Sequence, residues 1–66
     1  MGLRWTDTHE IVIELDEKYP DVDPQYVNFP DLMSWVLALD DFEGTEEHCS
    51  EQILEAIQMG WIADRE

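Results

Sequence analysis

Basic side chains are scarce in this chain: 3 Lys/Arg stand against 17 Asp/Glu, and Arg4, Lys18 and Arg65 lie far apart. Readers of DNA or RNA neutralise phosphates with clustered Lys and Arg, so that class is excluded even though three short helices would suit a helix-turn-helix. Cysteine is nearly missing too. Cys49 has no second thiol to pair with, which rules out a disulfide-stapled secreted scaffold. Only 3 glycines occur, none in a phosphate-cradling loop. The longest apolar run is short and broken by Ser34, leaving neither a membrane span nor a secretory h-region. The expectation is a cytoplasmic monomer that binds neither membrane nor nucleic acid.

What is present is acid and core. Residues 1–66 read as one small domain, and a chain of this size buries about 60% of its unfolded surface. Its hydrophobic fraction of 44%, with 3 Trp, separates it from disordered acidic tails. The formal net charge of -14 works against a compact state through self-repulsion, so the acidity points to solubility, steering or a cationic partner.

Three helices follow from the patterning. The first is capped at Thr6 or Asp7, with Asp7 and Glu10 spaced as a capping box, and ends near Lys18 or Tyr19 ahead of Pro20. Its apolar stripe is Ile11, Val12, Leu15 and Tyr19. Asp23 before Pro24 starts a short helical turn through Val27, expected to aim Val22, Tyr26, Val27 and Phe29 inward. The second helix, from Pro30 or Asp31 to Leu39 or Asp40, is apolar nearly all round and is expected at the centre. An acidic loop from Asp40 to Cys49 follows, with Gly44 as its break. Ser50 caps a third helix through about Ala63, whose stripe is Ile53, Leu54, Ile57 and Trp61.

Two acidic features carry the functional reading. Asp7, Glu10, Glu14 and Glu17 recur at spacings of three and four, which places them on one face of the first helix. Like charges at such spacings each cost a helix about 0.2–0.5 kcal/mol, and only the first turn is compensated by the helix dipole. The second feature is Asp40 to Glu47, with five carboxylates and no base in eight residues. A solvated surface would explain both. So would hard-cation binding: exposed carboxylates suit Fe2+, Mg2+, Ca2+ or Mn2+, weakly and with little selectivity. The candidate ligands are Glu10, Glu14, Glu17, Asp21, Asp23, Asp40, Asp41 and Glu43. Pro24 and Tyr26 break the EF-hand pattern that Asp21-x-Asp23 would begin. His48 and Cys49 are too few for a structural zinc site, and the surrounding acids disfavour a Cys49 thiolate. No enzyme motif is visible. An acidic row on a helix also admits a nucleic-acid mimic that occupies a basic site on a nucleic-acid-binding protein.

Leu3-Arg4-Trp5-Thr6-Asp7, then Tyr19-Pro20-Asp21-Val22-Asp23-Pro24, then Val27-x-Phe29-x-Asp31-Leu32-x-x-Trp35-Val36-x-x-Leu39, and finally Glu51-x-Ile53-Leu54-Glu55-Ala56-Ile57-Gln58-x-x-Trp61 resemble the IscX family of bacterial iron-sulfur cluster assembly. The resemblance spans nearly the whole chain and departs at Gly44 to Cys49 and at Gln52, where Lys is expected. It implies a mainly α, three-helix domain of modified winged-helix type. It further implies docking on the cysteine desulfurase IscS, weak Fe2+ binding, and an adaptor or iron-dependent regulatory role rather than an enzyme's. The ferredoxin or scaffold of the same pathway would be further partners. Docking is expected through Asp7, Glu10, Glu14, Glu17, Asp21 and Asp23.

Overall fold

The computed structural model describes residues 2–65 and is mainly helical. α1 spans Thr8–Lys18, α2 Phe29–Leu37 and α3 Glu51–Arg65, with short 3-10 turns at Pro24–Tyr26 and Glu46–His48. Among the described residues there is no strand; the one β-bridge pairs Leu3 with Phe42 in the parallel sense.

Local chemistry explains most boundaries. Asn28 accepts the Asp31 N–H at 2.8 Å and donates from its own amide to the Asp31 carboxylate at 3.1 Å. This reciprocal cap starts α2 at Phe29, earlier than Pro30 or Asp31, and the helix stops at Leu37 rather than Leu39 or Asp40. Ser50 caps α3 as expected, its hydroxyl accepting the Ile53 N–H at 3.3 Å. Asp23 likewise accepts from the Gln25 N–H at 3.0 Å. The expected capping box at Asp7 does not form. A turn over Arg4 to Asp7 draws that carboxylate backward, where it accepts the Arg4 N–H at 2.9 Å.

The core corrects the expected centre. Trp5, Ile11, Val12, Leu15, Leu32, Val36, Leu39, Leu54, Ile57 and Trp61 are buried, and α1 against α3 is the most extensive packing. A Cβ on Gly60 would lie 3.3 Å from Val12, so the two backbones approach closely there. α2 contributes one stripe, Leu32 and Val36 at i and i+4, while Ser34 and Ala38 face water. Trp35 is half-buried and stacks on Tyr19, ring centroids 4.9 Å apart. Tyr26 is 82% exposed rather than in the core, since a three-residue turn with Pro24 already turned inward leaves the Tyr26 side chain outside.

The acidic loop is anchored. Leu39 is buried and Phe42 half-buried, so the intervening Asp40 and Asp41 are pushed outward. The Leu3 N–H donates to the Asp41 carbonyl at 2.6 Å and the Glu43 N–H to the Leu3 carbonyl at 2.7 Å. Trp5 meets Phe42 edge-on at 4.7 Å and donates its indole N–H to the Thr45 carbonyl at 2.7 Å. Gly44 is therefore not a conformational break, and its φ is not positive. It is a space requirement: a Cβ there would lie 2.6 Å from the Phe42 ring and 2.9 Å from the Trp5 ring.

Candidate functional site

The eight candidate metal ligands and the docking acids separate into distinct sectors. Glu14, Glu17 and Lys18 of α1 border one shallow depression with Leu39, Asp40 and Asp41. Here the structure joins two features that are about twenty-five residues apart in sequence, with the segment after α2 held by the bridge to Leu3. Asp21 and Asp23 border a second depression, against Ile62 and Arg65 of α3. Glu43 lies in a third, more apolar one, with Arg4, Trp5 and His48. Glu10 stands exposed on α1, and Asp7 is half-buried and tied to the Arg4 backbone.

Charge compensation is sparse. Among the described residues the one ion pair is Asp16 with Arg65, at 2.8 Å. The acids of the α1 depression are therefore without an ion pair among the described residues, with Lys18 as the local base. Among the described residues no group of three His, Cys, Asp or Glu side chains converges as a ready metal cage. Hard oxygen donors without enclosure bind a divalent ion through one or two carboxylates and water, with fast exchange. The chemistry on offer is thus reversible capture and electrostatic docking.

Burial, with Glu46 close by, pushes the Cys49 thiol above its ordinary range, so it is protonated at neutral pH. His48 shares a hydrogen bond of 3.0 Å with the Thr45 hydroxyl.

Asp16 and Arg65 are the pair that sequence reasoning missed. Asp16 lies one turn beyond buried Val12, and Arg65 one turn beyond buried Trp61. That i,i+4 relation to the core was the available signal. The Asp16 carboxylate accepts from Arg65 Nε at 2.8 Å and from the Trp61 indole N–H at 3.2 Å. The Arg65 hydrogen bond first and the Trp61 hydrogen bond second hold its carboxyl below the usual range, against a smaller opposing effect of desolvation.

Residues 3–66 match the family model described as iron-sulphur cluster assembly. An uncharacterized protein of Pseudomonas aeruginosa is 52% identical over 66 residues, covering 100% of both chains. Among the described residues no helix is long and apolar enough to cross a membrane.

Proposed function

Because the chain belongs to the IscX family of iron-sulphur cluster assembly proteins, we propose that it is an adaptor or iron-dependent regulator of the cysteine desulfurase. It docks on a basic surface of that enzyme in the cytoplasm and binds Fe2+ weakly through exposed carboxylates. The observation that supports this most is the meeting of Glu14 and Glu17 of α1 with Asp40 and Asp41 around one depression, none of them paired to a base within the described residues.

The mechanism follows from charge. An acidic rim steers onto a basic patch and fixes orientation more than it adds affinity. A divalent ion on the same carboxylates lowers their negative charge and so weakens the attraction, which makes docking responsive to iron. The open geometry suits that use, since a sensor of a fluctuating pool must release its ion. The pathway's scaffold or ferredoxin would meet the same surface.

The test is a binding titration against purified cysteine desulfurase, with and without Fe2+ under anaerobic conditions. Binding that weakens as Fe2+ is added is the expected result. Binding indifferent to Fe2+ would remove the regulatory half, and absence of binding would remove the whole. Displacement of a bound partner by short duplex DNA would instead favour a nucleic-acid mimic.

A further inference from the structure

Among the described residues the Arg65 guanidinium makes more side-chain hydrogen bonds than any other group. It donates to the Asp16 carboxylate, to the Tyr19 carbonyl at 3.1 Å, to the Pro20 carbonyl at 3.2 Å and to the Val22 carbonyl. Its plane lies over the Trp61 ring, 5.4 Å from the centroid. From the end of α3 one side chain thus reaches two successive sections of the chain, the end of α1 and the Tyr19–Val22 turn. The carbonyls it donates to include that of Tyr19, the residue that closes α1, where a cation also meets the negative end of the helix dipole.

We propose that Arg65 is a positioning residue that sets the orientation of the acidic turn Asp21-x-Asp23, an inference that rests on that turn being part of the docking face. The turn's two edges are held separately, Tyr19 by stacking on Trp35 and Asp23 by capping the Gln25 N–H; the carbonyls between them are left to Arg65. Asp21 and Asp23 are exposed, and the turn's internal hydrogen bond is Val22 N–H to the Tyr19 carbonyl at 3.2 Å, the same oxygen to which Arg65 donates. Val22 is half-buried and Pro24 buried, so once the carbonyls of residues 19 to 22 are fixed, Asp21 and Asp23 are fixed outward. A second tether, from the Gln58 amide to the Pro24 carbonyl at 2.9 Å, lies past the acids and leaves the Tyr19–Val22 segment to Arg65. A planar fork that reaches several acceptors at once does this; an ammonium does not.

Charge makes the test sharp, because the two roles of Arg65 predict opposite signs. If Arg65 were only a positive charge on an acidic ligand, Arg65→Ala would make the protein more negative and strengthen its docking on a basic surface. If it positions the turn, the same change weakens docking, and Arg65→Lys, which keeps the charge and loses the fork, weakens it too. The experiment is amide hydrogen exchange by NMR on the full chain, paired with desulfurase titration, for wild type, Arg65→Ala and Arg65→Lys. We expect Val22 N–H exchange to rise about tenfold or more in both variants while Leu32 N–H, bonded to the carbonyl of Asn28 that caps α2, is unchanged. Docking should weaken about fivefold or more in both. Unchanged Val22 exchange overturns the clasp. Faster Val22 exchange with docking as tight as wild type, or tighter, overturns the positioning role. Wild type that does not dock overturns the docking reading itself, and the positioning role with it.

Discussion

The two sides of α1 are built from the same eleven residues and behave as opposites. Toward α3, Ile11, Val12 and Leu15 are buried, Gly60 lets the backbones close, and Asp16 is hydrogen-bonded to both Trp61 and Arg65. Away from α3, Glu10 and Glu17 stand in solvent, and Glu14 borders a depression with Asp40, Asp41 and Lys18 without an ion pair among the described residues. On the first side a carboxylate is part of the fold. On the second, carboxylates oppose it. The difference teaches that acidity as such is not functional here: what marks the outer face is acid that the fold leaves uncompensated.

The largest effect should come from the inner side. Trp61→Ala removes a fully buried indole and the partner of Asp16, and should cost about 3–5 kcal/mol, enough to unfold so small a domain. Trp35→Ala, in half-buried α2, should cost less, about 1–3 kcal/mol. Thermal denaturation orders the two, and a larger loss at Trp35 would break the assignment of the core to the α1–α3 seam. Next comes the seat of the acidic loop. Gly44→Ala pushes a methyl into the Trp5–Phe42 pair and should destabilise by about 1–3 kcal/mol, whereas at a negative φ in open space alanine would be neutral or slightly stabilising.

Acid separates the two sides in another way. Because the Asp16 carboxyl is lowered in the folded state, its stabilisation is complete above the unfolded value of about 3.9 and is lost as pH falls through the folded value. The stability gap between wild type and Asp16→Asn should therefore be constant at neutral pH and close in strong acid. A gap that persisted in acid would assign the loss to packing rather than to the ionised carboxylate. The smallest effect belongs to the outer side. Glu17→Gln should stabilise by about 0.2–0.5 kcal/mol through relief of like-charge repulsion, and added salt should shrink that gain.

Much of this was legible from residue order alone. Apolar spacing located α1 and α3, and the Ser50 and Asp23 caps fell where short polar side chains precede helical segments. Composition misled at α2, because an apolar helix of nine residues has room to bury one stripe, and the rest of its greasy surface is covered by Tyr19 or left half-wet. The acidic residues of the site were readable as a set and not as an arrangement. Nothing local to Asp40 and Asp41 says that they will face Glu14 and Glu17; that depends on a β-bridge to Leu3, a contact between chain segments thirty-nine residues apart. Arg65 was the least legible, since its partners are mostly backbone carbonyls, which no side-chain pattern announces.

The measurement closest to the central claim is charge reversal on the outer face, Glu10→Lys with Glu17→Lys, both exposed and two helical turns apart on α1. Folding of the variant is checked by circular dichroism, and its affinity for the cysteine desulfurase is titrated at low and at physiological salt. An outer face that docks by charge predicts a folded variant with affinity reduced about tenfold or more, and a salt dependence shallower than that of wild type. A folded variant that binds as tightly as wild type, with the same salt dependence, would contradict it.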